Sequence, residues 1–364
     1  MSGIGGLNIK LAIYGESHGK SIGLVLEGMP PGIELDLDKI MKEMARRAPG
    51  QNALSTPRKE SDAFEIQSGF FNGRTTGTPL CAVIKNSDQH SKDYSILADK
   101  MRPGHADYAG FVRYQGCNDY RGGGQFSGRL TAPLVLAGAI AKQALAKYGI
   151  VIGSHILSVG DIKEKNYDPM GMDIATLAEV DSKAFPVMDD EIGQAMQEKI
   201  LAAKAELNSV GGTIETIVMN MPAGIGAPYF DSVESCLSKN LFSVPAVKAV
   251  EFGDGFDITI KTGAEANDEL HYVDGKVTGY TNHNGGVTGG ISNGMPVIFR
   301  VGLKPTPSIS REQRTISLKE KADTTLTIVG RHDPCIVQRA VPVIEAVTAW
   351  TIWDLLLEAK KWEN

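Results

Sequence analysis

The segment PLVLAGAIAKQALAK, residues 133–147, is apolar nearly all round when wound at the helical period. A helix with no polar face is buried, so this one belongs inside the fold. Residues 38–48 predict a second helix, entered from acidic residues and stopped by Pro49-Gly50. Residues 190–207 carry Ile192, Met196 and Ile200 on one stripe, and residues 341–361 carry Val343, Val347, Trp350 and Leu357. Runs at 9–14, 22–27, 64–70, 79–85, 213–219, 256–260 and 297–301 alternate or are β-branched, with glycine or proline at their ends. Helix and strand do not alternate regularly, which excludes a doubly wound parallel sheet and predicts an α+β fold with largely antiparallel sheets. No linker, internal repeat or low-complexity tract divides the chain, so we read residues 1–364 as one domain.

A formal charge of −6 gives no net basic field for nucleic acid or an anionic membrane, although it leaves room for a local basic pocket. The N-terminus has no basic segment followed by an apolar core, and the most apolar run, 130–141, ends at Lys142, short of a membrane span. Cys81, Cys117, Cys236 and Cys335 stand far apart without a CxxC pair. That spacing predicts buried free thiols in a reducing cytoplasm, with neither a disulfide framework nor a zinc module.

The long polar, glycine-rich loops (47–61, 86–108, 120–127, 281–294, 304–310) exceed what plain connectors need, and their Arg, His and Asn content points to function. Gly15-Glu16-Ser17-His18-Gly19-Lys20-Ser21 resembles a phosphate loop, yet one residue too few separates its first glycine from Gly19-Lys20-Ser21. His18 is a structural turn residue or a proton donor to a phosphate. Arg102-Pro103-Gly104-His105 is a rigid turn that presents a guanidinium and an imidazole together, or a solvated loop. Arg121-Gly122-Gly123-Gly124, running through Ser127-Gly128-Arg129 into the apolar helix, makes an anion site from backbone amides and a helix N-terminus. Asp333-Pro334 before the last helix reads equally well as an N-cap with a first-turn proline or as part of a site. No HExxH or His/Cys cluster is present to hold a metal. The cations and histidines together suit a polyanionic small substrate and proton transfer.

Taken in order, GESHGKSIGLVLEGMPPG, RRAPGQ, STPRKESD, SGFFNGRTTGTP, RPGHADY, RGGGQFSGRLTAP, VKAVEFGDGF, NHNGGVTGGISNG, KPTPS and RHDPCIVQRAVPVIEA resemble the chorismate synthase family over nearly the whole chain. That resemblance implies a single-domain β-α-β sandwich assembled as a homotetramer. It implies reduced FMN as cofactor, supplied by an external flavin reductant, and 5-enolpyruvylshikimate 3-phosphate as substrate, with phosphate lost by 1,4-anti elimination. In the family, residues at the positions of His18, His105 and Asp333 respectively protonate the leaving phosphate, protonate the reduced flavin, and handle the C6 proton together with flavin N5. It further implies a flavin side formed by Arg102, His105, Ser127, Gly128, Arg129, Gly290, Lys304, Ser308, Arg331 and Asp333. The implied substrate side is His18, Arg46, Arg47, Arg58, Arg129 and Arg331.

Two departures stand out. Ala48 and Ala53 occupy positions where many members of the family carry substrate-binding arginines, and Arg58 with Lys59 are the nearby cations that could compensate. Two other classes fit parts of the pattern: a nucleotide-binding phosphotransferase built on Gly19-Lys20-Ser21, and a non-catalytic flavin- or phosphate-binding module.

Overall fold

Hairpins pair some strands and crossovers bring distant ones together, and this builds two antiparallel sheets. The computed structural model describes residues 3–50, 54, 61–86, 96–328 and 332–362. The first sheet begins with β1 (Ile4–Gly5), β2 (Lys10–Gly15) and β3 (Ser21–Glu27); helix α1 (Leu37–Arg47) follows, with Asp36 accepting from its first amides. Then come β4 (Phe64–Ser68), a small hairpin of β5 (Phe70–Phe71) and β6 (Arg74–Thr75), and β7 (Leu80–Lys85); the order across the sheet is β1-β2-β3-β7-β4. Short helix α2 (Asp107–Arg113) leads towards the long α3 (Thr131–Ala146).

The second sheet takes β8 (Val151–Val159) and β9 (Ile162–Lys163), and after helices α4 (Ile174–Ser182) and α5 (Asp190–Ala205) it takes β10 (Gly212–Met219). Helix α6 (Val233–Leu241) precedes β11 (Val247–Phe252). Beyond the short α7 (Gly263–Ala266) lie hairpins of β12 (Leu270–Val273) with β13 (Lys276–Gly279) and β14 (Val287–Thr288) with β15 (Ile291–Ser292). Strand β16 (Val297–Leu303) completes the sheet in the order β11-β16-β10-β8-β9; the hairpin of β17 (Gln313–Ser317) and β18 (Ala322–Leu326) and helix α8 (Val337–Ala359) end the chain.

Helices α1, α3 and α8 pack together as the middle layer. Strand β3 buries Ile22, Leu24 and Leu26 on one face, as the two-residue period of a strand requires. Helix α3 packs on that sheet and against α8, which in turn packs on β8 and β10 of the other sheet. The α+β antiparallel architecture is therefore as expected, and the apolar segment is the inner layer. Among the described residues α8 is the one helix long and apolar enough to cross a membrane, but 94% of its most apolar stretch is buried inside the protein. Its far end anchors the N-terminus: the Asp354 carboxylate accepts from the amides of Leu7, Asn8 and Ile9 at 2.6–2.7 Å.

Three expectations are corrected. Residues 256–260, read as a strand, belong to a 3₁₀ helix (Gly255–Ile260) whose Phe256 and Ile260 are exposed; among the described residues no strand pairs with them. The last helix starts at Val337 rather than at 341, so Pro342 lies inside it and removes one amide from its first turns. Of the four thiols, all free, Cys236 and Cys335 are buried, whereas Cys117 is exposed and Cys81 half-buried.

Two features of this layer are testable. A Cβ on Gly138 would stand 2.2 Å from both Cα and Cβ of Ala346 in α8. Alanine is the better helix former by about 1 kcal/mol, but here it would force two buried helices apart, at a cost of about 1–3 kcal/mol. Gly138→Ala should therefore lower the melting temperature by several degrees; a rise would show that the helices can separate freely.

The second feature is His155 of β8, fully buried, whose Nε2 lies 3.0 Å from Glu215 while Nδ1 contacts Glu164. Burial alone would push the imidazole down, but the bonds to Glu164 and Glu215 outweigh it and hold its pKa above the ordinary value. A raised folded-state pKa means stability fully present below about pH 6.5 and lost progressively above it. The melting gap between the wild type and His155→Gln should be wide at pH 6 and narrower at pH 9. A constant gap would count against a charged His155.

Candidate active site

A cavity of about 550 Å³ opens where α3 and α8 begin, walled by the loops that precede them and by residues 242–248 and 304–308. Its floor is a glycine turn. Gly122, Gly123 and Gly124 have φ of 58°, 84° and 53°, a left-handed run that side chains resist. Space excludes a Cβ as well: on Gly122 it would meet the His18 ring at 2.1 Å, and on Gly123 the His105 ring at 3.1 Å. The two histidines, 87 positions apart in the sequence, thus press on successive residues of one turn.

His18 reaches this place from the loop between β2 and β3. The Ser17 amide donates to Gly124 O at 3.1 Å, and Asn86 ties the loop down by donating to Glu16 O and Gly19 O. Because the loop runs into an antiparallel strand and not into a helix, it has no helix N-terminus for a nucleotide phosphate, and the phosphotransferase reading fails. Gly15-Glu16-Ser17-His18-Gly19 also has the spacing of a nucleophile elbow, but that motif too requires a strand followed by a helix. Ser17 and His18 are both buried, behind the glycine wall.

His105 is held by the turn at 102–107. Arg102 is 5% exposed; its guanidinium binds Asp107 through Nε and Nη2, each at 2.7 Å, and Nη1 lies 3.3 Å from the Ser308 hydroxyl. Lys304 donates to Gly104 O and holds the same turn from the other side. On the helix side, Ser127 accepts from the Arg129 amide, and a Cβ on Gly128 would find open space. Arg47 of α1 and Arg129 share the buried carboxylate of Asp62. Burial would raise that carboxyl, but the two guanidiniums hold it below its usual range. Burial, with Arg339 and Arg129 nearby, lowers Arg47 to about 10 despite Asp62.

Asp333 stands at the start of α8 without capping it: the N-cap is Ile336. Its carboxylate takes Arg339 Nη1, and Arg339 Nε donates to Arg47 O at 3.2 Å. Beside it His332 is driven down to about 4, first by burial and then by repulsion from Arg102, with His105 adding to it against the pull of Asp333. His332 is therefore a neutral ring at neutral pH.

Of the expected residues, His105, Asp333, Arg47, Arg102, Ser127, Gly128, Arg129, Lys304 and Ser308 line this cavity, with His18 behind its glycine wall. Arg58, Arg331 and the alanine at 53 lie outside the described residues. Two of the expected residues are not among the lining of this cavity. Arg46, one position from Arg47, turns away to Glu43, Asp181 and Glu345 at a second cavity on the far side of α1. Gly290 belongs to the turn between β14 and β15, against Ser232 and Ala227, away from the site. Asp62, Asn86, Asp107, His332 and Arg339 went unassigned from sequence. Asp107 and His332 sit inside motifs already singled out; Asn86 and Asp62 carried no local signal.

The chorismate synthase family model matches residues 9–357. A chorismate synthase of Pyrococcus abyssi (strain GE5 / Orsay) is 46% identical over 98% of both chains, and one of Methanobrevibacter smithii is 43% identical over 95% of this chain and 94% of its own. A crystal structure of a chorismate synthase superposes with a TM-score of 0.77 at 27% identity, covering 97% of this chain and 93% of that one. With blocks, fold and full-length relatives in agreement, the chain belongs to the chorismate synthase family, lyases of the shikimate pathway to the aromatic amino acids.

Proposed function

We propose that this chain eliminates phosphate from 5-enolpyruvylshikimate 3-phosphate using reduced FMN held in the 550 Å³ cavity. The observation that carries the reading is the convergence of His18, His105 and Asp333 on one glycine-walled, cation-lined cavity. The lining fits a flavin mononucleotide: a wall of Phe126, Val244, Pro307 and Ile336 suits a flat ring, while Arg102, Lys304, Ser127 and Ser308 offer donors for its oxygens and phosphate. When bound, reduced flavin supplies electron density to the departing phosphate and is restored within the cycle, so the reaction is redox-neutral.

The protein's own residues divide the remaining work. The elimination breaks the C3–O and C6–H bonds and leaves a new double bond, with one proton to place and one to remove. His18 is the proton donor to the phosphate. Arg47, Arg129 and Arg339 meet the substrate's charges. The Asp333 carboxylate, turned into the cavity by Arg339, takes part in removal of the C6 proton. His105 keeps a proton facing the electron-rich ring. No role in this scheme falls to Arg46 or Gly290.

We further read the chain as one domain, since a continuous core joins Leu11 of the first sheet, through Leu356 of α8, to Phe299 of the second. A homotetramer is supported by large apolar side chains left exposed at Tyr229, Phe230, Phe256, Ile260 and Tyr272, surface of the kind a partner subunit covers. Free thiols suit a cytoplasmic protein that receives its flavin reduced by an external donor.

Anaerobic phosphate release with the substrate and chemically reduced FMN tests the reading. The wild type should turn over, and His18→Ala should bind substrate normally while turning over about 10²–10⁴-fold more slowly. Absence of phosphate release from the wild type would overturn the assignment.

Asp333→Asn separates chemistry from structure at the start of α8. The amide keeps an acceptor for Arg339 but cannot take up a proton. The melting temperature should move little, and turnover should fall by about 10²-fold or more. Near wild-type turnover would leave Asp333 as an anchor for Arg339 alone.

A further inference from the structure

We propose that Asp107 is a positioning residue that fixes the tautomer of His105, so that Nε2 and not Nδ1 handles the proton in the cavity. The inference rests on the reading of His105 as the proton-holding group of the site. Asp107 is the first residue of α2, yet its side chain, only 6% exposed, turns back over the preceding turn. Four donors converge on its two oxygens. Oδ2 accepts from the Arg102 amide at 3.0 Å and from Arg102 Nε at 2.7 Å; Oδ1 accepts from Arg102 Nη2 and faces His105 Nδ1, both at 2.7 Å. Those contacts fill the carboxylate's lone-pair sites. Burial would raise this carboxyl, but Arg102 and His105 keep it ionised, well below the usual range.

An ionised carboxylate at 2.7 Å requires a hydrogen on Nδ1. Arg102 Nη2 also lies 3.1 Å from that nitrogen and has a second hydrogen, but accepting it would leave the Nδ1 lone pair facing an ionised oxygen at 2.7 Å, the shorter and costlier contact. The neutral ring is therefore the Nδ1–H tautomer, with its Nε2 lone pair beside Gly123, where a Cβ would stand only 3.2 Å away. The charged ring donates from the same Nε2. One carboxylate thereby sets the rotation of His105, the atom that exchanges protons, and the direction of Arg102.

Asparagine cannot replace it. Its single oxygen would face the two Arg102 donors on the Oδ2 side, leaving its NH₂ against His105 Nδ1 and Arg102 Nη2. His105 Nδ1 would then have to accept, and the ring proton would move to Nε2.

The test is long-range ¹⁵N spectroscopy of the full chain labelled in histidine, with the His105 ring assigned by its loss in His105→Ala, alongside turnover at saturating reduced FMN. In the wild type the neutral ring should carry its proton on Nδ1; in Asp107→Asn it should shift to Nε2. Turnover of Asp107→Asn should fall about 10²–10⁴-fold, the reach of a positioned proton-transfer group, with KM within about twofold. Asp107→Glu, which keeps the charge, should recover part of the rate. A wild-type Nε2–H ring would overturn the proposal even where the variants fail to fold. So would normal turnover of Asp107→Asn while His105→Ala is slow. Normal turnover of His105→Ala would instead remove the role of His105 on which the inference stands.

Discussion

The approach of α3 to α8 at Gly138 and Ala346 sets the rest of the molecule. The two helices are sandwiched between sheets, so any change in their separation must be taken up by both sheets. It would be taken up by the site too. Gly138 lies seven residues after Thr131, and Ala346 seven after Arg339; Thr131 and Arg339 both line the cavity. Seven residues are about two helical turns, ~10 Å, so the point of closest contact is a rigid pivot a short way behind the cavity. Both helices begin at the cavity, and the positive ends of their dipoles add to the local field there. At its other end α8 holds the segment between β1 and β2 through Asp354, and Trp350 Nε1 donates to Ile9 O at 3.2 Å. The helix that presents Arg339 is thereby pinned from both sides.

A second constraint concerns buried charge. Glu345 of α8 is fully buried; burial would raise its pKa, but Arg46 and Lys142 more than offset that and hold it ionised. Glu43 joins the same cluster, and Asp181 is raised to about 6 by burial and by repulsion from Glu345. This cluster explains the split between Arg46 and Arg47. Consecutive residues on a helix point about 100° apart, so α1 can send one guanidinium to the cavity and the next to the α8 counter-ion. Breaking such a buried pair costs about 3–5 kcal/mol, so Arg46 is committed to holding α1 against α8.

That split marks the limit of what the sequence could tell. The apolar segment at 133–147 needed no partner to be recognised as a buried helix, and the alternating runs around residues 22–27 and 79–85 carried their own period. His18, His105 and Asp333 lay in short motifs whose glycines and prolines announced tight turns. What sequence order could not supply was direction. Nothing in Arg46-Arg47 says which side chain meets Asp62, and Asp62 lies in a stretch with no periodicity. Phe256 and Ile260 alternate as a strand does, but alternation makes a strand only where another strand waits to pair. Strand β8 was overlooked for the opposite reason: Ser154 and His155 interrupt its apolar run, and the polar partners that bury them, Thr216 and Glu215, come from β10, about sixty residues on.

The pairing within the cavity governs how it can work. Five of its cations have partners within the protein: Asp62 for Arg47 and Arg129, Asp107 for Arg102, Asp333 for Arg339, and a backbone carbonyl for Lys304. An arriving anion therefore exchanges partners with groups already aimed and dehydrated, and pays little ordering entropy. Among the described residues the cations on this wall outnumber the carboxylates, so the exchange leaves a net attraction for a polyanion even in a chain of formal charge −6. Asp333 is the informative member of the set. Arg339 is held both by that carboxylate and, through Arg47 O, by α1, so a substrate that draws Arg339 towards itself must loosen both contacts. On the reading proposed above, the binding of an anion and the release of Asp333 are one event, carried by one guanidinium between them.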